Sequence, residues 1–374
     1  MYDLIVIGGG IVGLSVAYHA VAAGAKALLV DRSDPGRATA AGAGILAPET
    51  SAIESDAWFR LAVAAVDYYP TLAAQLQADA AGGTGYAATE ALVVAVSADE
   101  DAAFAAARER MLARQQRYGR PTPEQVTAID AAQARELFPP LAPIRAGLRV
   151  GRAARVDGRL LAGALERAAD TRGLLRRTAG VDQIVLQGET ASAVVIAGET
   201  LTAGSVVIAG GAWSAAFESQ LHMRLPVKPQ RGQIIHLSLP GVETADWPVI
   251  LPFHGHYMVP WPDQRVVVGA TRELVGFEPH STAAGVHEVL AEALRVAPGL
   301  ANATLGEVRV GLRPSTPDSL PVLGRAPTAR NVYLATGHGA TGLQVGPYSG
   351  KLIADLALGR MIEVDLEPFA ISRF

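Results

Sequence analysis

Three glycines in the first turn of the chain have the spacing of a phosphate-binding motif. Gly8, Gly10 and Gly13 form a Gly-x-Gly-x-x-Gly pattern between an apolar run and an alanine-rich segment. The first permits a tight turn, the second lets a pyrophosphate approach the backbone, and the third lets helix and strand pack closely. The free amides of Ile11 and Val12, at the positive end of a helix dipole, would bind the phosphates. The motif predicts a dinucleotide-binding turn.

An acidic residue stands where such a site needs one. Asp31 ends the second apolar run, 18 positions after Gly13 (31 − 13), where a carboxylate accepts hydrogen bonds from ribose hydroxyls. Arg32 follows it, and an arginine at this position can instead bind a ribose phosphate. These residues alone therefore leave the type of dinucleotide open.

Three histidines could also take part in chemistry. His254 and His256 are two residues apart, which would put both on one face of a strand. No acidic or histidine partner is evident near them in the sequence, so we predict no metal site. His338 lies in a glycine-rich loop, where it would either polarise a bound cofactor or substrate or hydrogen-bond the loop itself.

The composition narrows the class of protein. The chain has 374 residues, of which half are hydrophobic and 18% are charged, and its net charge is −4. This length predicts two domains, and the absence of a basic tract argues against nucleic acid as a partner. There is no cysteine, which excludes a disulfide, a thiolate metal site and a flavin tethered through cysteine. No signal peptide or apolar run of roughly 20 residues is present, so we predict a cytoplasmic protein without a membrane span.

Apolar runs and helical patterns place the glycine motif in a Rossmann βαβ unit. Strands are predicted at Tyr2–Ile7 and Ala27–Val30, with a helix over Ile11–Ala23 between them. Further buried strands are predicted at Ser205–Gly211 and Val332–Ala335. The pieces of a parallel sheet are thus scattered along the chain.

Segments predicted to form antiparallel strands lie between these parallel strands in the sequence. A hairpin is predicted over Val181–Ile196, and strands are predicted at Gly255–Pro260 and Arg265–Ala270. A last helix is predicted over Gly346–Leu358. The order of elements indicates two interleaved domains.

Six segments spread over the whole chain resemble those of one family. They are VIGGGIVGLSVAYHA (6–20), GRATAAGAGIL (36–46), VVIAGGAWS (206–214), GHYMVPWPDQRVVVGATRE (255–273), GLRPSTPDSLPVLG (311–324) and ATGHGATGLQVGPYSG (335–350). Together they resemble the D-amino-acid oxidase-like flavoproteins, and within these the glycine oxidase and sarcosine oxidase group.

The resemblance implies an α/β fold. A Rossmann-type FAD-binding domain of the glutathione-reductase-like class would be joined to an α+β substrate domain built on an antiparallel or mixed sheet. The predicted FAD-binding domain is discontinuous and comprises residues 1–85, 145–220 and 305–374. Residues 86–144 and 221–304 would form the substrate-binding domain.

The resemblance also implies non-covalent FAD and assigns residues to it. The expected contacts outside the glycine motif are Asp31, Arg32, Thr39, Ala43, Gly44, Ile45, Val181, Gly211, His338, Gly339, Ala340, Thr341, Gly342, Leu343 and Gln344. Val181 would meet the adenine through its backbone. The loop from His338 to Gln344 would run along the isoalloxazine ring, where backbone amides stabilise the negative charge that develops near N1 and O2 on reduction.

Two residues match the family's substrate-binding positions. Arg313 stands at the carboxylate-anchoring arginine, whose planar fork suits bidentate binding, and Tyr257 matches a tyrosine that hydrogen-bonds the same carboxylate. The chain departs from glycine oxidases after His338, where Gly339 and Ala340 replace a larger aromatic residue and an arginine. We therefore expect a pocket larger than free glycine requires.

The predicted activity is oxidation of the C–N bond of glycine, an N-substituted glycine or a D-amino acid. Hydride would pass to flavin N5, and the imine would hydrolyse to glyoxylate or a keto acid plus an amine. The partners would be a small carboxylated amine and dioxygen or another electron acceptor, and a homo-oligomer stays open. The alternatives are an FAD-dependent 2-hydroxy acid dehydrogenase, which needs a histidine base, and a non-catalytic FAD-binding assembly protein.

Overall fold

Two β-sheets and seven α-helices make up the protein, of which a computed structural model describes all residues from 1 to 374. The strands are β1 (Tyr2–Ile7), β2 (Ala27–Asp31), β3 (Ile45–Leu46), β4 (Ala87–Ala95), β5 (Val126–Ile129), β6 (Ala146–Arg155), β7 (Leu175–Thr178), β8 (Gln183–Gln187), β9 (Thr190–Ile196), β10 (Glu199–Ile208), β11 (Lys228–Ser238), β12 (Val249–Leu251), β13 (Tyr257–Trp261), β14 (Arg265–Gly269), β15 (Thr304–Ser315), β16 (Val322–Arg325) and β17 (Val332–Thr336). The helices are α1 (Ile11–Ala22), α2 (Asp56–Ala78), α3 (Asp101–Tyr118), α4 (Ala131–Leu137), α5 (Gly158–Thr171), α6 (Ala283–Val296) and α7 (Gly342–Ala357). None of the helices combines the length and apolar character that a membrane crossing needs.

The first sheet contains the predicted Rossmann unit. Its strand order is β16-β17-β10-β1-β2-β7, and the five strands from β17 to β7 run parallel. Along β1, Leu4 and Val6 join the core on one face, whereas Ile5 and Ile7 join the core on the other. Both faces are therefore covered, which explains why the parallel strands read as continuous apolar runs.

The second sheet is mixed and mainly antiparallel. Its order is β15-β11-β14-β13-β12-β4-β6-β3, with β5 paired to β6. Only β12 and β4 pair in parallel. The fold class predicted from the sequence, a Rossmann-type domain with an α+β partner, is confirmed.

Two long strands of the second sheet, β6 and β15, and the two-residue strand β3 fall in segments that were assigned to the FAD-binding domain. β6 pairs with β4 over most of its length, and β15 pairs with β11. Neither strand was predicted, because glycine and arginine interrupt the apolar alternation of both. The chain therefore passes from one sheet to the other at positions that differ from the predicted boundaries at 145 and 305. The domain boundaries themselves stay a prediction.

The last helix begins at Gly342, four residues earlier than predicted, so the predicted start at Gly346 is wrong. Pro347 lies inside the helix, and it has no N–H to donate to the carbonyl of Leu343 four residues before it. The hydroxyl of Tyr69 on α2 donates to that carbonyl instead. A side chain from another helix thus satisfies the backbone group that proline leaves free, and the helix can start before its proline.

We predict that Tyr69→Phe lowers the free energy of unfolding by about 2 kcal/mol, because the buried carbonyl of Leu343 loses its only side-chain donor. Urea unfolding followed by intrinsic fluorescence measures the change. Tyr348→Phe is the matched control, since Tyr348 lies on α7 itself and its ring packs against that of Tyr68. Equal destabilisation by both changes would show that the Tyr69 hydrogen bond does not support the helix.

Candidate active site

One cavity extends from the glycine turn of the first sheet to the strands of the second. All the site residues predicted from the sequence border it except Gly13 and Thr341. Those that line it are Gly8, Gly10, Ile11, Val12, Asp31, Arg32, Thr39, Ala43, Gly44, Ile45, Val181, Gly211, Tyr257, Arg313, His338, Gly339, Ala340, Gly342, Leu343 and Gln344. The fold therefore brings together residues that are more than 300 positions apart.

The three motif glycines have different surroundings. Gly8 has φ +109°, and a Cβ there would collide with the carbonyl of Ala209. A Cβ on Gly13 would overlap the carbonyl oxygen of Gly8, so this glycine serves the contact between helix and strand and does not line the cavity. A Cβ on Gly10 would meet only the Oγ1 of Thr39, at 3.5 Å. Gly10 thus borders open space, as a backbone that receives a pyrophosphate must.

One of the two amides expected to bind phosphate is already engaged. The amide of Ile11 donates to Oγ1 of Thr39 at 2.9 Å, so the prediction that it is free is wrong. Thr39 lies 28 residues further along the chain, and no local pattern indicates this contact. Val12 lies in the first turn of α1 and lines the cavity, and its binding of a phosphate stays a prediction.

The acid at the end of β2 has a partner that the sequence analysis missed. Asp31 forms an ion pair with Arg37 through Oδ2, at 2.9 Å. Arg32 pairs with Asp34 at 2.7 Å, so a carboxylate already balances its charge. That pairing argues against a ribose phosphate at this end, because the arginine would have to exchange its acid for the phosphate.

The loop before α7 presents an unpaired imidazole to the cavity. His338 is 2% exposed, and neither of its ring nitrogens has a hydrogen-bond partner. Burial lowers its pKa to about 4, so the ring is neutral at pH 7. Thr341 turns away from the cavity and donates its hydroxyl to the carbonyl of His338 at 2.8 Å.

The N-terminus of α7 faces the same space. Gly342, Leu343 and Gln344 form its first turn and line the cavity. The first amides of a helix carry partial positive charge. This placement suits a ring that gains negative charge.

Arg313 lies half-buried on β15, and no acid pairs with it. Its Nη1 donates to the carbonyl of Thr271 at 2.9 Å, and its guanidinium lies where a Cβ on Gly232 would otherwise stand. Burial lowers the pKa of Arg313, while the hydroxyl of Tyr257 opposes that effect. A buried guanidinium without a carboxylate is costly, so this position favours an anionic ligand.

Tyr257 lies at the start of β13 and borders the cavity beside Arg313. Burial raises its pKa, and the positive charges of Arg313 and then Arg272 oppose that rise. The phenol therefore stays protonated at neutral pH and can donate a hydrogen bond to an anion.

A second guanidinium at the cavity escaped the sequence analysis. Arg272 follows β14 and lines the same cavity as Arg313 and Tyr257. It lies in the segment 255–273 that carried the family resemblance, but nothing in its local pattern distinguishes it from a surface arginine. Only the fold shows which cavity it borders.

The prediction that His254 has no acidic neighbour is wrong. Ligand atoms of His254, Glu100 and Glu292 lie within 4.8 Å of one another. Arg295 already pairs with both acids, at 2.6 Å to Glu100 and 2.5 Å to Glu292. The acids come from the segment before α3 and from α6, so their sequence separation hid them. His256 lies 3.6 Å from Glu288, another residue of α6.

The chain is similar over nearly its whole length to known flavoenzymes. A profile of the family described as FAD dependent oxidoreductase matches residues 3–356. The uncharacterized oxidoreductase YurR of Bacillus subtilis is 37% identical over 99% of this chain and 98% of that protein. The glycine oxidase of Pseudomonas putida is 30% identical over 98% of both. The crystal structure of iminodiacetate oxidase from Chelativorans sp. BNC1 superposes with a TM-score of 0.92, at 39% identity over 98% of both chains.

We predict that Gly10→Ala weakens FAD binding at least about tenfold, or about 1.4 kcal/mol, with little effect on the stability of the apoprotein. The new methyl group fits against Thr39 but would occupy the space that a pyrophosphate needs. Titration of the apoprotein with FAD, followed by flavin fluorescence, gives the affinity. Gly83→Ala is the control, because a Cβ at that exposed glycine meets nothing within 4 Å. Unchanged affinity in Gly10→Ala would place the pyrophosphate elsewhere.

Proposed function

The chain belongs to the FAD-dependent oxidoreductase family, and we propose that it oxidises the C–N bond of a carboxylated amine, with an N-substituted glycine or a D-amino acid preferred over free glycine. It is an enzyme that uses FAD, and family members take small amine substrates and an electron acceptor. The observation that carries the proposal is Arg313, a half-buried guanidinium without an acid at the cavity.

Arg313 and Tyr257 would hold the substrate carboxylate together. The guanidinium has five N–H groups, of which one reaches the carbonyl of Thr271. The others suit a bidentate contact with a carboxylate, and the neutral phenol of Tyr257 adds a donor. Fixing the carboxylate in this way orients the Cα–H bond, which accelerates the reaction through positioning.

The reaction balances without a strong side-chain base. FAD, when bound, accepts the hydride that leaves Cα, that is, one hydrogen with two electrons. The neutral amine forms the C=N bond with its lone pair and loses a proton to solvent. Water then adds to the imine and releases an amine together with glyoxylate or a keto acid. Dioxygen or another acceptor would remove the two electrons.

The cavity suits this chemistry in two further respects. The neutral ring of His338 places no charge near the substrate above about pH 5, because its pKa is about 4. The first turn of α7 offers its amides to negative charge that develops on the cofactor ring.

Substrate size is inferred from the loop after His338 and from the relatives. Gly339 and Ala340 line the cavity, and neither fills space as an aromatic residue or an arginine would. Two relatives are named for glycine and for iminodiacetate, and the second compound is a glycine with a substituent on its nitrogen. Both points support an N-substituted glycine. A cytoplasmic location stays a prediction.

One observation favours a second candidate function, oxidation of a 2-hydroxy acid. Such a substrate needs a base to take the hydroxyl proton, and His338 is a neutral imidazole without a hydrogen-bond partner. Anaerobic flavin bleaching separates the two functions. Bleaching by sarcosine or a D-amino acid supports amine oxidation, and bleaching by 2-hydroxyglutarate alone would overturn it. A flavin that neither class of compound reduces would indicate the non-catalytic protein.

We predict that Arg313→Gln lowers kcat/KM for the amine substrate at least about 100-fold, since the loss of a buried charged partner costs about 3 kcal/mol. Tyr257→Phe should cost about tenfold because only one neutral hydrogen bond is lost. Both variants should keep the visible absorbance of bound FAD. Arg330→Gln serves as the control, because Arg330 is exposed and does not line the cavity. Full activity of Arg313→Gln would place the carboxylate elsewhere.

A further inference from the structure

We propose that Arg272 binds a second carboxylate of the substrate, so that the enzyme prefers a glycine whose nitrogen carries a carboxyalkyl group, such as N-(carboxymethyl)glycine (iminodiacetate). This inference rests on the proposed oxidation of a C–N bond. It adds a specificity-determining residue and a narrower substrate class to that function.

Arg272 is an uncompensated cation at the cavity. Its only hydrogen bond runs from Nη1 to the carbonyl of Gly255, at 2.7 Å, so four of its five N–H groups remain. It forms no ion pair, although the neighbouring residue Glu273 is acidic. An arginine on an ordinary protein surface is free to take many rotamers, whereas this one is directed towards a backbone carbonyl beside Tyr257.

Arg272 and Arg313 each have a glycine directly beside the guanidinium group. A Cβ on Gly232 would overlap the guanidinium of Arg313, and a Cβ on Gly255 would overlap that of Arg272. The guanidinium of Arg313 therefore lies against Gly232 on β11, and that of Arg272 lies against Gly255 in the turn before β13. These two glycines create the room in which both planar groups border the cavity.

The backbone of Arg272 is held on both sides. Before it, the carbonyl of Thr271 accepts the hydrogen bond from Arg313. After it, Glu273 exchanges two backbone hydrogen bonds with Arg231, at 2.8 and 3.0 Å. Burial alone would raise the pKa of Glu273, but hydrogen bonds from Arg231, Gln233 and Thr271 outweigh it and hold the pKa at about 2. Glu273 is thus ionised and committed to those partners, and it does not neutralise Arg272.

The charges match a dicarboxylate in its reactive form. An N-alkylglycine with a neutral amine carries one negative charge, whereas an N-carboxyalkylglycine carries two. Arg313 and Arg272 supply two positive charges to the same cavity. Two arginines beside a substrate with one carboxylate would leave one of them unpaired.

The position of Arg272 also agrees with where a substituent on nitrogen would extend. Arg313 is half-buried, whereas Arg272 is exposed at the edge of the cavity. A carboxylate held at Arg313 leaves the other arm of the substrate directed towards the opening. The preferred substrate would therefore have its reacting glycine unit inside and its second carboxylate at the entrance.

The test compares three substrates in the holoenzyme: iminodiacetate, its monoamide N-(carbamoylmethyl)glycine, and sarcosine. The monoamide has nearly the same shape as iminodiacetate but lacks the second charge. We expect kcat/KM of the unaltered enzyme to be at least about 30-fold higher for iminodiacetate than for the monoamide. In Arg272→Gln this preference should fall below about threefold, while sarcosine turnover changes by less than about threefold. Arg272→Lys should restore part of the preference because it keeps the charge.

A binding measurement adds a readout that does not require turnover. Thiodiacetate has sulfur in place of the amine, so it cannot form an imine, and its dissociation constant follows from changes in the flavin spectrum. We expect Arg272→Gln to weaken thiodiacetate at least about tenfold and Arg330→Gln to leave it unchanged. An unaltered spectrum of bound FAD in each variant shows that the site is still folded.

The outcomes separate this inference from the function on which it rests. If sarcosine is oxidised but iminodiacetate has no advantage over the monoamide, the inference is overturned and C–N oxidation stands. An equal loss for all three substrates in Arg272→Gln also overturns it, since Arg272 would then support the site as a whole. If no amine reduces the flavin, the proposed function fails and the inference fails with it.

Discussion

A backbone hydrogen bond beside the cavity joins a strand of the second sheet to a loop that follows a strand of the first. The amide of Leu312 on β15 donates to the carbonyl of Gly36 at 2.8 Å, and Gly36 follows the strand that carries Asp31. Gly36 has φ +81°, and a side chain there would press against Leu312 and Pro279. This contact places Arg313, the next residue of β15, over the space that opens from the glycine turn. Segments of both sheets thus line one cavity, beside a point where a strand of the second sheet is anchored to a loop of the first.

Charge is distributed unevenly along this cavity. At the end near β2, Asp31 is paired with Arg37 and Arg32 with Asp34, so the local charges cancel. At the end near β15, Arg313 has no acid. In the proposed binding mode, the ribose lies at the charge-balanced end and the substrate at the positive end, which fits a cofactor held largely by backbone and dipole contacts and a substrate held by charge. In that mode, the adenosine half of the cavity is the part that carries sequence motifs, whereas the substrate half depends on isolated side chains.

Local signals predicted the four central strands of the first sheet but not its outer strands β7 and β16, and long-range pairings limited the rest. The glycine motif, the strands beside it and the loop at His338 were visible because turn glycines and apolar runs impose short sequence patterns. By contrast, the residues of β6 and β15 do not alternate regularly between apolar and polar side chains. These segments form strands because they pair with β4 and β11. The contact of Thr39 with Ile11 and the acids around His254 were missed for the same reason. Arg313 was found only through its family motif, and Arg272 required the fold.

The hydroxyl of Tyr69 has a consequence beyond stability. It satisfies the carbonyl of Leu343, a residue in the first turn of α7 and on the cavity wall. In the proposed binding mode that turn directs partial positive charge at the cofactor ring, and the strength of such a field depends on where the turn lies. The reduction potential of the flavin would then be tuned from α2, by a phenol that touches neither cofactor nor substrate. Variation among relatives in this outer helix could therefore change which electron acceptors the enzyme can use while the cavity lining stays the same.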